Sequence, residues 1–262
     1  MESCDVLIVG GGPGGSSCAK RLSGAGLDVT VVDKDVFPRD KVCAGWITPI
    51  VFDELGLDPR EYGRGRVLQP ITAFRVGSCG GPTIDVDYRD PVSYGIRRCE
   101  FDHYLLERCG ARLLLGEAVR SIVRDRGGWV VNDRYRAPML VGAGGHFCPV
   151  AQKFAGGGEA SAQVVAAQEI EFPLDESQDA ECRVEGHRPE LYFCRDLKGY
   201  GWCFRKGRHL NVGLGREDRD RLPEHVAAFC EHLQQQGRIP RSLPQRLRGH
   251  AYLLYKHASR PL

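Results

Sequence analysis

Gly10, Gly12 and Gly15 fall at GxGxxG spacing, directly after the apolar run Val6 to Val9 and directly before a helix-prone stretch, Ser16 to Leu22. In that setting each glycine has a task. Gly10 permits a tight turn, Gly12 lets the backbone approach a pyrophosphate, and Gly15 lets the helix pack against the strand. Pro13 and Gly14 complete the loop, so that the helix N-terminal amides face the negative charge. A second β-branched run, Val29 to Val32, ends at Asp33, placed to accept hydrogen bonds from an adenosine ribose and to disfavour a 2′-phosphate. Lys34 follows as a further candidate contact. A glycine-rich turn without ligand is the bland alternative, but strand, glycines, helix, second strand and terminal acid in register favour a dinucleotide. The pattern alone does not separate FAD from NAD.

These residues need a βαβ unit to hold them, and the opening segment reads as one. Phe101, Leu105, Leu106 and Cys109 share one face of a second helix, and Leu113 to Leu115 make a short strand. Two strands between Val119 and Val131 flank the turn Asp125 to Gly128, and Met139 to Val141 run into the loop Gly142-Ala143-Gly144-Gly145. From about Ala162 to Leu214 strands follow one another without helices, and Leu222, Val226, Phe229 and Leu233 mark an amphipathic helix after Pro223. The expected fold class is α/β: a Rossmann-like, three-layer FAD/NAD(P)-binding domain with a sheet-rich α+β substrate domain. The expected boundaries are 1–65 with 95–158 for the first, and 66–94 with 159–262 for the second.

The bulk numbers restrict the function classes. With 36 Lys plus Arg against 34 Asp plus Glu in 262 residues, the formal charge of +2 gives no general attraction to nucleic acid. The first apolar stretch is too short for a signal sequence and none approaches a membrane span, so a cytoplasmic protein is expected, with peripheral membrane contact left open. Eleven cysteines show no CxxC pair and no regular spacing, which reads as reduced thiols and no metal site.

Beyond the glycine loop the chain resembles the geranylgeranyl reductase-like branch of flavoproteins with the aromatic hydroxylase (group A) fold. Four segments carry the resemblance: Asp5 to Lys34, Phe37 to Gly45, Arg98-Cys99-Glu100-Phe101-Asp102, and Gly142 to Gln152. It implies FAD as cofactor, with the second segment over the flavin. By position it makes Arg98, Gly142 and Gly145 cofactor contacts. Arg39 and Lys41 could neutralise a pyrophosphate or stabilise an anionic reduced flavin, or could be solvated surface charge. Cys43 is a weak catalytic candidate, since the branch often keeps a cysteine there; reactivity would need a lowered thiol pKa, and a structural thiol is the alternative. His146 reads as a loop residue.

Lys198 to Gly207 resembles the family's Tyr-x-Trp-x-Phe-Pro stretch. Alternation puts Tyr200, Trp202 and Phe204 on one strand face, either as an aromatic wall for a flat or isoprenoid-like substrate or as a core strand. Three positions depart from the family pattern: Gly144 stands in place of Asp, Gln152 in place of Arg, and Arg205 in place of Pro. The family's late Gly-Asp segment has no counterpart, so Ala258 to Leu262 is expected to mark a truncation that leaves a flavin partly uncovered, bound weakly or dependent on a partner. The resemblance implies reduction of an unsaturated hydrophobic substrate, with FAD reduced by NAD(P)H or another donor. Flavin monooxygenation, halogenation and a non-catalytic remnant are the rivals; oligomeric state is not legible.

Overall fold

The computed structural model describes residues 1–154, 163–218, 221–244 and 247–254. The chain opens with β1 (Glu2–Ser3), β2 (Val6–Val9), α1 (Pro13–Gly24) and β3 (Val29–Asp33). A middle run holds β4 (Trp46–Ile47), α2 (Ile50–Leu55), α3 (Pro59–Tyr62), β5 (Leu68–Ile71), β6 (Ala73–Ser78), β7 (Thr83–Asp87) and β8 (Ser93–Ile96). Next come α4 (Arg98–Glu107), β9 (Arg112–Leu115), β10 (Ile122–Asp125), β11 (Gly128–Val131), β12 (Tyr135–Ala137), β13 (Met139–Gly142) and α5 (Pro149–Phe154). The last run is β14 (Gln163–Pro173), α6 (Glu176–Glu181), β15 (Glu190–Phe193), β16 (Gly199–Lys206), β17 (His209–Arg216), α7 (Leu222–Gln235) and β18 (Arg248–Leu254).

Two compact units result, Met1–Lys41 with Cys99–Ser161 and Val42–Arg98 with Ala162–Leu262. Residues 42–65, read from sequence with the nucleotide-binding portion, fall in the second unit. There Trp46 pairs with Gly95 across β4 and β8, and the Phe52 ring stands edge-on to Tyr62 and Tyr94 at 5.9 and 5.5 Å. Two-residue strands and one-turn helices carry too little periodicity to show this in sequence. The expected crossing at 158/159 and the chain-end stretch 258–262 lie outside the described residues.

The first unit has three layers, as its sequence suggested. Its centre is the parallel sheet β13-β2-β3-β9, with β2 between β13 and β3. All four residues of β2 are buried, because alternate side chains enter different cores. Val6 and Ile8 join Ala19 of α1 and Leu106 of α4, whereas Leu7 and Val9 join Ile122, Val131 and Tyr135 of the second sheet, β1-β12-β11-β10.

The second unit is built on the seven-stranded sheet β18-β14-β17-β16-β15-β6-β7, with the small sheet β4-β8-β5 beside it in sequence. Its core forms where Ile170, Phe172, Cys203, Leu210, Val212 and Leu214 meet Leu222, Val226, Phe229 and Leu233 of α7. Burying each large apolar side chain there contributes about 1.5–3 kcal/mol. The helix α6 interrupts a stretch read as strands alone. Its start is a capping box in which Asp175 accepts from the Gln178 amide and the Gln178 side chain accepts from the Asp175 amide.

Gly201 faces this core, and a Cβ there would stand 2.6 Å from the Phe229 ring. Gly201→Ala should therefore destabilise the fold by about 1–3 kcal/mol through overpacking. The check is a lowered denaturant midpoint with an unchanged slope in equilibrium unfolding.

Candidate functional site

In the first unit the β2–α1 loop is held backbone to backbone. Gly10 has φ +111, its amide donates to Val32 O at 2.8 Å, and a Cβ on it would stand 2.4 Å from Ala143 O. A Cβ on Gly15 would stand 1.8 Å from Gly10 O, so helix α1 approaches the strand as only glycine allows. The two remaining glycines behave differently. A Cβ on Gly12 would meet only Arg39 Nη2, at 3.4 Å, and one on Gly14 would meet nothing within 4 Å. Among the described residues their missing side chains thus serve no packing; they leave the outer face of the loop open.

That open face lies at the start of α1, whose N-cap Gly12 makes no side-chain cap and whose first turn has no acidic residue. First-turn amides lack intrahelical acceptors and carry the positive end of the helix dipole, so the cradle suits an anion. Arg39 borders it through Nη2, beside Gly12, and Nη1 of the same guanidinium is buried without a hydrogen-bond partner among the described residues. The loop Gly142–Gly145 adjoins the same place, with the Ala143 amide donating to Val9 O at 2.7 Å. Gly145 has φ +75, and a Cβ on Gly142 would press on Val150 at 2.9 Å.

Asp33 sits at the end of β3, 9% exposed. The Gly11 amide donates to its Oδ2 at 2.6 Å and the Asp35 amide to its Oδ1 at 2.9 Å. A carboxylate has about four lone-pair positions, so acceptor capacity remains on both oxygens. Lys34 is exposed and Lys41 half-buried. Among the candidates, the first unit therefore gathers Gly10, Gly12, Pro13, Gly14, Gly15, Asp33, Arg39, Gly142 and Gly145 around one turn.

Lys34 and Lys41 also belong to the first unit, whereas Cys43, Arg98, Tyr200, Trp202 and Phe204 belong to the second. Arg98 is half-buried at the first position of α4. Along β16 exposure falls from 42% at Tyr200 to 8% at Trp202 and 2% at Phe204, so the strand runs from surface at one end to core at the other. Tyr200 stacks tilted on Trp202 at 5.9 Å, and Trp46 stands edge-on to Phe204 at 5.4 Å. Trp202 Nε1 donates to the buried Asn211 Oδ1 at 2.7 Å.

Beneath these rings lies a buried polar cluster that sequence reading missed. Lys206 Nζ donates to Ala44 O at 2.9 Å and Ile96 O at 3.0 Å, and pairs with Glu171. The Cys43 amide donates to Glu169, and the Gly45 amide to Cys43 Sγ at 3.4 Å. The segment Cys43–Gly45 is thereby pinned by two buried charges. Strand alternation could have revealed the cluster, since Glu169 and Glu171 share a face of β14, as Trp202, Phe204 and Lys206 share one of β16.

Burial pushes the Glu169 carboxyl up to about 7, against the opposing pull of the Cys43 amide and the Lys206 ammonium. A raised folded-state value means that stability from this group is present below its unfolded value and is lost as pH rises through about 7. The wild-type chain should lose on the order of 2 kcal/mol between about pH 5 and 8 from this group. Glu169→Gln should remove that slope, checked by denaturant unfolding across the range.

The menaquinone reductase of Mycobacterium tuberculosis (strain H37Rv) is 30% identical over 247 residues, covering 86% of this chain and 58% of the relative. The geranylgeranyl diphosphate reductase of Rhodobacter capsulatus is 29% identical over 88% of this chain and 58% of its own length. The chain thus spans less than two thirds of the curated relatives it matches. A geranylgeranyl bacteriochlorophyll reductase-like protein from Thermoplasma acidophilum superposes with a TM-score of 0.76 at 21% identity, over 96% of this chain and 66% of that one. The FAD binding domain family matches residues 3–179, well over half of the sequence and the whole of the glycine cradle. The chain belongs to the FAD-binding domain family.

Proposed function

We propose that this chain holds FAD at the β2–α1 turn and serves a reductase of an unsaturated, hydrophobic substrate. The observation that carries the reading is the open cradle. Among the described residues, Gly12 and Gly14 lack side chains where packing does not require it, at an uncapped helix start; Arg39 Nη2 borders Gly12, and Nη1 of the same guanidinium is buried with no acceptor. A pyrophosphate supplies the missing acceptors.

In this reading Gly10 and Gly15 shape the turn, Gly12, Pro13 and Gly14 admit the phosphates, and Asp33 receives the ribose hydroxyls on its remaining lone pairs. Arg39 donates to the pyrophosphate; Lys34, Lys41, Arg98, Gly142 and Gly145 are further contacts by position. Bound FAD supplies two-electron transfer, and the chain's residues supply orientation and electrostatics. Tyr200, the exposed member of the β16 aromatics, offers a flat apolar surface to an isoprenoid or quinone-like substrate, backed by Trp202 and Phe204. The reductase names of the curated relatives favour reduction, with NAD(P)H as the proposed donor. No described helix is long and apolar enough to cross a membrane. Eleven unpaired cysteines suit the reducing cytoplasm.

Purified protein supplied with FAD should show oxidised-flavin absorbance and a raised melting temperature. Gly12→Val should fold normally yet take up no FAD, because the branched side chain fills the open face; stoichiometric FAD on the folded variant overturns the cradle assignment. For the reaction, reduced protein mixed anaerobically with a polyprenyl substrate should saturate one double bond per flavin reoxidised. Substrate-dependent oxygen uptake in its place would assign monooxygenation or halogenation.

A further inference from the structure

The Arg39 guanidinium is fixed from several sides within the first unit. Its Nε faces Asp35 Oδ2 at 3.6 Å, its Nη2 faces Asp102 Oδ2 at 3.3 Å, and the Phe37 ring lies 4.7 Å from its Cζ. Nη2 also stands 3.4 Å from where a Gly12 side chain would begin, and Nη1 is buried without an acceptor. Asp102, in the second turn of α4, has a fully buried side chain. Burying a carboxylate is costly unless a cation meets it, so this acid needs its arginine as much as it restrains it.

Two carboxylates beside one guanidinium outweigh its charge at long range. What survives is direction: a planar fork with Nε and Nη2 held by carboxylates, Nη2 at the Gly12 face, and Nη1 left without an acceptor among the described residues. We propose that Asp102 is a positioning residue for cofactor binding, holding Arg39 so that its free edge donates to the pyrophosphate at the glycine loop. The inference rests on the FAD reading above. It gives a task to the buried acid that closes the Arg98–Asp102 segment.

The test is calorimetric titration of the full 262-residue chain, freed of flavin, with FAD, ADP and adenosine. Asp102→Asn should weaken FAD and ADP by about tenfold or more, the loss of one charge-assisted hydrogen bond, and leave adenosine unchanged. Arg39→Gln should do the same, and the double variant should bind no worse than Arg39→Gln alone, because Asp102 acts through Arg39. Asp102→Glu, which keeps the charge but displaces it by one methylene, should fall between wild type and Asp102→Asn. Should Asp102→Asn fail to fold, the ADP-to-adenosine ratio of Asp102→Glu decides. Equal weakening of ADP and adenosine, multiplicative losses in the double variant, or unchanged ADP affinity would each overturn the inference while leaving FAD binding intact. A wild-type chain that binds neither FAD nor ADP would overturn the FAD reading and this inference together.

Discussion

The first unit depends on a close approach between main chains. Helix α1 starts so near β2 that the Gly10 carbonyl oxygen occupies the volume of a side chain on Gly15, and the Ala143 carbonyl occupies that of one on Gly10. Two loops from distant parts of the sequence are thereby pressed onto one point, tied further by the Ala143 amide on Val9 O. Because the contact is between backbones it has little freedom to relax, and it sets where the helix amides point. The Asp33 carboxylate reinforces the turn from the next strand by accepting the Gly11 amide. A group that recognises phosphate by main-chain N–H is only as well placed as this crossing.

Charge is handled in the same way in both units, by burial against defined partners. Arg39 lies between Asp35 and Asp102 in the first unit; Lys206 lies among two carbonyls and Glu171 in the second. Neither arrangement is a good source of net stability, since desolvating ions offsets most of the attraction gained. Each instead fixes a short segment that has no regular structure of its own. Arg39 borders the glycine loop, and Lys206 with Glu169 pins the backbone of Cys43 to Gly45. Irregular segments carry most binding groups, and rigid anchors of this kind make them precise.

The two faces of β16 show how one strand serves two ends. Gly201 and Cys203 turn toward α7, where the bare glycine admits the Phe229 ring, while Trp202, Phe204 and Lys206 turn to the opposite face. On that face the exposure gradient from Phe204 to Tyr200 joins a core to a surface without a break. The sequence reading left wall and core as alternatives; Trp202 and Phe204 are core, and Tyr200 is at the surface.

Much was legible without coordinates because it depends on near neighbours. The GxGxxG turn, its flanking strands, the acid at Asp33, the hairpin around Gly128 and the stripe of α7 all express local periodicity or local backbone need. The residues 42–65 were placed in the wrong unit because they hold their position through Gly95 and Tyr94, partners some fifty residues on, rather than through any pattern of their own. Likewise nothing near Asp102 in the chain announces Arg39, and nothing near Cys43 announces Glu169. Sequence alone determined which turn could accept a dinucleotide, since glycine's lack of a side chain acts where it stands. Only the tertiary structure decided which charges are buried beside that turn and beside the aromatic strand, because an ion pair forms by distance in space, to which separation along the chain is indifferent.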